Sequence, residues 1–400
     1  MKLYADKRYH KSLFEHNVLI STPILCTTLN NAGNERLKKA KLSYEYFIID
    51  EASQCVEPSS LIPLSHEIKK LILVGDHMQL PATVFYPKAS KILYNRSLFE
   101  RLIDNKYPRY ILTVQYRMQS NISEFISNIF YDKKLTNNES HVISINKEPF
   151  YSIIKIEKNF SFFDINYGEE ILDEGKKSYY NESEIQFCFK LIKEIILKIK
   201  EQIFNYENIK REKNNNKKEK EKENNKINEN ENINSQNEED EKIKIFKNYK
   251  FAIICSYKSQ VIKFREMKKA DKFFNTNKIN NIEINTVDSF QGQERDIIIF
   301  STVRANVKDE IELEDGEIES SCKELNQNNN GSVGIGFLND FRRMNVGLSR
   351  AKIGCYVVGN FETLKNNSYW EKLINFCKNR NSFFKVDKSK ESEAIKNILK

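Results

Sequence analysis

Six short apolar runs constrain the fold of this chain more than any other feature. Val18-Leu19-Ile20, Phe47-Ile48-Ile49, Leu71-Ile72-Leu73-Val74, Phe251-Ala252-Ile253-Ile254, Ile297-Ile298-Ile299-Phe300 and Tyr356-Val357-Val358 are continuous, rich in β-branched residues and each followed by a small or acidic residue. Runs without polar alternation suit strands buried on both faces of a parallel sheet, where no side of the strand meets water. Between them, Ser120 to Phe130 and Glu182 to Phe204 carry apolar residues at helical spacing. Strands alternating with helices predict an α/β fold, and the grouping of the strands predicts two sheets and two domains. A chain of 400 residues, 40% hydrophobic and 12% aromatic, can bury two cores of ordinary size.

Two stretches break the pattern. From residue 205 to 241 the chain turns to Lys, Asn and Glu with almost no apolar residues, which predicts a disordered insertion because nothing there offsets the entropy of ordering. Residues 308 to 330 begin acidic and end rich in Asn, and read as a polar loop insertion. The seven cysteines are scattered without a Cys-x-x-Cys, which argues against a zinc site and against a secreted disulfide scaffold. No apolar run approaches the roughly 18 residues of a membrane helix, so no membrane partner is expected. The net charge of +8 permits a polyanionic partner without demanding one.

Chemistry concentrates at the ends of the runs. Phe47-Ile-Ile is followed by Asp50-Glu51-Ala-Ser-Gln54, two adjacent carboxylates at the carboxyl edge of a parallel sheet, where nucleotide phosphates and Mg²⁺ bind in open α/β folds. In phosphoryl transfer one Asp helps hold the metal and a neighbouring carboxylate polarises water; a strand followed by Asp-Glu also serves simply to cap the next helix. The second run leads into Gly75-Asp76-His77-Met78-Gln79-Leu80-Pro81, a glycine for close backbone approach and a Gln that can orient water or read a γ-phosphate. Arg117, in Gln115-Tyr-Arg-Met, opens a helical segment and suits an arginine finger, although a surface salt bridge is the ordinary fate of one Arg. Farther on come Asn285 to Asp296 and Asp340 to Lys352, the latter placing Arg343 and Arg350 seven apart on one helical face. Arg342, Arg343 and Lys352 taken singly read as solvated cations.

In order, STPI, DEASQ, GDHMQLP, SLFERL, QYRM, DSFQGQERD and RRMNVGLSRAK resemble the motifs of the superfamily 1B helicases, especially the up-frameshift and senataxin-like group, from about Val18 to Asn360. The resemblance implies two RecA-like P-loop NTPase domains with parallel sheets, at residues 1–110 (motifs II and III) and 111–390 (motifs IV to VI). Residue by residue it implies that Asp50 associates with Mg²⁺, that Glu51 is the catalytic base and that Gln79 senses the γ-phosphate. It makes Arg117 and Arg350 the two arginine fingers, Gly292 the motif V turn and Glu294 the acidic residue near the ribose. Ser21 and Thr22, with Thr286 and Ser289, fall where the family touches the nucleic-acid backbone. The sequence departs from the family's QLPP at Ala82, from its QYRMHP at Gln119 and Ser120, and from its NVALTRA at Gly347 and Ser349.

A larger departure is that no G-x-x-x-x-G-K-[ST] occurs in the 400 residues; Glu174-Gly-Lys-Lys-Ser178 lacks the first glycine and the spacing. In the family this loop precedes the Val18 run, where 17 residues stand. The sequence therefore resembles the carboxyl-terminal part of such a helicase, its first domain incomplete at the N-terminus. The expectation is an ATP-dependent helicase or translocase on RNA or RNA/DNA hybrids, with ATP and Mg²⁺ as cofactors and single-stranded RNA or DNA and RNA-processing proteins as partners. By itself the 400-residue chain is expected to be inactive as an ATP hydrolase. The resemblance to senataxin-like members points to the nucleus, with the cytoplasm as the alternative. The alternative function is a non-hydrolysing nucleic-acid-binding or scaffold protein derived from such a helicase.

Overall fold

The computed structural model describes residues 2–84, 86–138, 156–224, 246, 249–276, 281–305 and 335–399. It divides into two units, the first ending at Ile111 and the second beginning at Leu112. The first comprises α1 (Lys2–Ser21), α2 (Leu29–Ala32), α3 (Glu35–Lys39), β1 (Ser43–Ile49), α4 (Glu57–Leu61), β2 (Glu67–Leu73), α5 (Pro87–Lys91) and α6 (Leu98–Asp104). β1 and β2 pair in parallel, from Ser43 opposite Glu67 to Ile49 opposite Leu73. Side chains set the helix starts: the Asn34 carboxamide accepts from Arg36 N at 2.9 Å and the Ser97 hydroxyl accepts from Glu100 N at 3.0 Å. A small core gathers Leu37, Ala40 and Leu42 against Leu19, Leu25 and Tyr44.

Two expectations change in this unit. Val18-Leu19-Ile20 lies in α1 rather than in a strand. A strand needs a neighbour for its backbone groups, whereas a helix bonds its own, and the sheet of this unit holds only β1 and β2 among the described residues. Nor are these two strands buried on both faces: Tyr46, Ile48, Ile72 and Val74 are exposed, while Phe47, Ile49, Leu71 and Leu73 are covered to varying degrees.

The second unit runs β3 (Val114–Gln115), α7 (Ser120–Phe130), β4 (Thr136–Asn137), β5 (Phe160–Ile165), β6 (Ile171–Asp173), β7 (Ser178–Tyr180), α8 (Glu182–Asn224), β8 (Phe251–Cys255), α9 (Lys258–Ala270), α10 (Lys272–Thr276), β9 (Ile282–Thr286), β10 (Arg295–Ser301), α11 (Phe341–Ser349), β11 (Ala351–Gly359), α12 (Phe361–Leu364), α13 (Ser368–Asn379), β12 (Phe383–Val386) and α14 (Glu391–Leu399). Six strands form one sheet in the order β12-β5-β11-β10-β8-β9. Every pairing in it is parallel. β8 and β10 are buried along almost their whole length, as continuous apolar runs require, and β5 is buried throughout although Ser161 and Asp164 interrupt it. On one face Ile253, Ile297, Ile299 and Val358 pack against Ile185, Ile192, Ile196 and Ile199 of α8.

The first part of the expected 205–241 insertion is helical, because α8 continues to Asn224. Once the buried turns from Ile185 to Ile203 have nucleated a helix, adding residues rich in Lys and Glu costs little. Residues 225–241 and the expected loop at 308–330 lie outside the described residues.

Candidate functional site

In the first unit the turn after β1 gathers the expected carboxylates. Asp50 and Glu51 are both exposed. Glu51 adopts φ 51°, a left-handed conformation that costs a non-glycine residue about 1 kcal/mol or more. Its amide donates to Asp50 Oδ1 at 3.0 Å, and Gln54 Nε2 donates to Glu51 Oε2 at 2.7 Å. The end of β2 lies against this turn: Val74 N donates to Ile49 O at 2.9 Å and Ala52 N to Val74 O at 2.8 Å. Gly75 makes the approach possible, since a Cβ there would sit 2.9 Å from Ser53 N. Beyond it Asp76 N donates to Ser53 Oγ at 3.2 Å, while Asp76 Oδ2 accepts from Gln79 Nε2 at 2.8 Å. Asp50, Glu51 and Gln79 therefore belong to one hydrogen-bonded pair of turns at the carboxyl ends of β1 and β2.

The second unit brings together Arg117, Glu294 and Arg350. Gln115 shapes the turn: its Oε1 accepts from Arg117 N at 2.9 Å and Met118 N at 2.8 Å, and its Nε2 donates to Asn137 Oδ1 at 2.6 Å. Held this way, Arg117 donates through Nε to Glu294 Oε2 at 2.9 Å and through Nη1 to Ser349 O at 3.2 Å. Lys352 Nζ lies 2.6 Å from the other oxygen, Glu294 Oε1. Burial works to raise the Glu294 carboxyl, but the bonds from Lys352 and Arg117 outweigh it and hold the group below its usual range. Gly292 turns the chain into β10 at φ 73°, with open space where a Cβ would stand.

Arg350 is only 2% exposed. It donates through Nε to Val346 O at 3.1 Å, through Nη1 to Gln293 O at 3.3 Å and through Nη2 to Ser349 Oγ at 3.0 Å. Arg343 stands elsewhere, bonded to Asp288 and Asp340 and stacked on the Phe337 ring at 4.9 Å. Arg350 caps α11 with helical dihedrals, φ −79° and ψ −18°, but the two guanidinium groups go to different partners, that of Arg350 turning back onto Val346 O, Gln293 O and Ser349 Oγ.

The four expected backbone-contact residues fall in two places. Ser21 and Thr22 close α1, both hydroxyls donating to Val18 O, at 3.2 and 2.5 Å. In the second unit Thr286 Oγ1, on the last residue of β9, and Ser289 Oγ are 3.1 Å apart, and Ser289 is exposed.

Of the groups the resemblance implies, the exposed Asp50 carboxylate is the one side chain expected to meet Mg²⁺. No group of three or more His, Cys, Asp or Glu gathers to hold a metal among the described residues. A cation at Asp50 would need phosphate and water oxygens to complete its shell, which is how Mg²⁺ is ordinarily held. Sequence reasoning missed Gln115, whose only signal was its place in the Gln-Tyr-Arg-Met motif, and passed over Lys352 as a solvated cation, although its side chain is 28% exposed and ion-paired.

A family model described as an AAA domain matches residues 2–87, and a second of the same description matches residues 94–210 and 203–362. The chain is 32% identical over 377 residues to Helicase SEN1 of Saccharomyces cerevisiae, which covers 94% of this chain and 14% of that protein. Probable helicase MAGATAMA 3 of Arabidopsis thaliana is 33% identical over 372 residues, 93% of this chain and 37% of that protein. Regulator of nonsense transcripts 1 of Caenorhabditis elegans is 29% identical over 385 residues, 95% of this chain and 29% of that protein. The chain thus spans between 14% and 37% of the length of these relatives. Its α/β units are RecA-like domains, and the chain belongs to the AAA-domain family, within the superfamily 1B helicases of the up-frameshift and senataxin-like group.

Proposed function

We propose that this chain carries the motor chemistry of an ATP-dependent helicase or translocase on RNA or RNA/DNA hybrids. The observation that carries the reading is the pair of turns in the first unit, where exposed Asp50 and Glu51 are braced by the Gly75–Gln79 segment. Mg²⁺, when bound, neutralises phosphate charge and needs a carboxylate such as Asp50. Glu51 accepts the proton of the attacking water, and Gln79 orients that water. In the second unit Arg117 and Arg350 supply positive charge for the transferred phosphoryl group, an effect worth several powers of ten in rate. Thr286 and Ser289, and in the first unit Ser21 and Thr22, are the proposed contacts to the nucleic-acid backbone, a grip that ignores sequence and suits a translocase. The proposed setting is RNA processing in the nucleus, on the resemblance to the senataxin-like group.

The test is Glu51→Gln in the full-length protein, read by ATP hydrolysis with single-stranded RNA present and by ATP binding. Turnover is expected to fall at least a hundredfold, the usual contribution of a positioned general base, with binding retained. Normal turnover in the variant would remove Glu51 from the chemistry. RNA binding that weakens steeply with salt but ignores ATP would favour a non-hydrolysing nucleic-acid-binding protein.

A further inference from the structure

Glu294 has one cation on each carboxylate oxygen, Arg117 Nε on Oε2 at 2.9 Å and Lys352 Nζ on Oε1 at 2.6 Å. Of the neighbouring basic residues, Arg295 donates to Glu283, to Gln293 Oε1 and to the backbone carbonyl of Glu294 rather than to its carboxylate, and Arg350 donates to Gln293 O, Val346 O and Ser349 Oγ. The two cations are held differently. Arg117 sits on a turn between β3 and α7, whereas Lys352 is the second residue of β11, an inner strand of the six-stranded sheet, and its carbonyl accepts from Gln119 N at 2.9 Å. A guanidinium that swings round to present its fork to a phosphoryl group gives up the carboxylate held on its Nε. Were Arg117 the only partner, its departure would leave a half-buried carboxylate unpaired, which is costly.

We propose that Lys352 is a positioning residue that keeps Glu294 paired and in place when Arg117 leaves it for the nucleotide phosphates. Arg117 and Lys352 are thereby unequal: one is a mobile charge, the other a fixed counter-charge that makes its release inexpensive. The inference rests on the reading of Arg117 as a phosphate-directed residue, but its electrostatic core can be measured without nucleotide.

The experiment titrates the Glu294 carboxyl by ¹³C-detected NMR in the Glu-labelled 400-residue chain, the resonance being assigned with Glu294→Gln. Wild type, Arg117→Ala, Lys352→Met and the double variant are compared, and Lys352→Arg serves as the conservative rescue. With Arg117→Ala, Glu294 is expected to remain below its ordinary carboxyl value, because Lys352 still holds it. In the double variant it is expected to rise by roughly one to three units, because only burial remains. A rise in Arg117→Ala alone as large as in the double variant would overturn the proposal. The companion readout is turnover in the full-length protein. Lys352→Met is expected to lower kcat severalfold with little change in the KM for ATP, to be rescued by Lys352→Arg, and to add nothing once Arg117 is Ala. An equal kcat loss from Lys352→Met with and without Arg117 would also overturn it. Should Arg117→Ala leave turnover unchanged while the titration behaves as expected, the phosphate-directed role of Arg117 fails and the paired clamp on Glu294 stands.

Discussion

Gly347 illustrates how one residue is decided by its neighbour. The resemblance places Ala at this position, and glycine inside a helix such as α11 costs roughly 0.5–1 kcal/mol relative to alanine. The structure supplies the reason for the departure, since a Cβ on Gly347 would stand 2.3 Å from Cε2 of Phe300, a ring only 1% exposed. Gly347→Ala is therefore expected to destabilise the chain by about 1–3 kcal/mol despite the better helix propensity, read as a lowered urea midpoint. Phe300→Leu in the same chain is expected to recover part of that loss. A midpoint that rises in Gly347→Ala would mean that the Phe300 ring gives way freely. Gln115 makes the complementary point: both ends of its carboxamide are spent on shaping the turn that aims Arg117.

Among the elements, the join between α8 and β10 is the most distinctive. Glu184, in the first turn of α8 and 1% exposed, accepts from Ser301 Oγ at 2.6 Å and from Val303 N at 2.9 Å just past the end of β10. Val303 holds φ 76°, a strained conformation for a β-branched residue. Asn181 Nδ2 donates to Val303 O at 3.2 Å and Gln260 Nε2 to Ser301 Oγ at 2.9 Å, so three elements converge on the strand end. Burial pushes the Glu184 carboxyl up to about 8, against the opposing pull of the bonds from Ser301 and Val303. A folded value above the unfolded one means that the folded state holds the proton more tightly. Its contribution is complete below the unfolded value of 4.5 and is lost as pH rises through 8. Glu184→Gln, which keeps the shape without the charge, is expected to flatten that decline in urea-unfolding curves measured across this window. Glu184→Leu leaves Val303 N without its acceptor and is expected to cost about 1–3 kcal/mol at every pH. A wild-type stability that does not fall across the window would show the carboxyl to be ionised when folded.

For the molecule as a whole, the two units differ in how their strands are supported. β8, β10 and β11 each have a parallel neighbour on both sides and are almost wholly buried. Among the described residues β1 and β2 pair only with each other, and Tyr46, Ile48, Ile72 and Val74 are exposed. Amide exchange followed by mass spectrometry is expected to be slowest in peptides covering 251–255, 295–301 and 351–359 and markedly faster in those covering 43–49 and 67–73, because two strands alone are marginal in water. Equal protection in both sets would show that the carboxyl turns bearing Asp50 and Gln79 rest on a unit as stable as the larger one.

The sequence by itself determined what repeats locally. Continuous apolar runs became β1, β2, β8, β10 and β11, and helical spacing placed α7 at Ser120–Phe130 to the residue. The order of short motifs identified the family, because each motif is a contiguous stretch that no packing is needed to read. Val18-Leu19-Ile20 was illegible as a helix because three apolar residues carry no period, and strand or helix is then settled by whether a neighbour supplies hydrogen bonds. β5, rich in phenylalanine rather than in β-branched residues, acquired its place between β11 and β12 only through the sheet. The ion pairs around Glu294 could not be read from the chain either: Arg117 is 177 residues away from it. Such pairs exist because parallel strands return distant segments to one sheet edge, and that is a property of the tertiary structure alone.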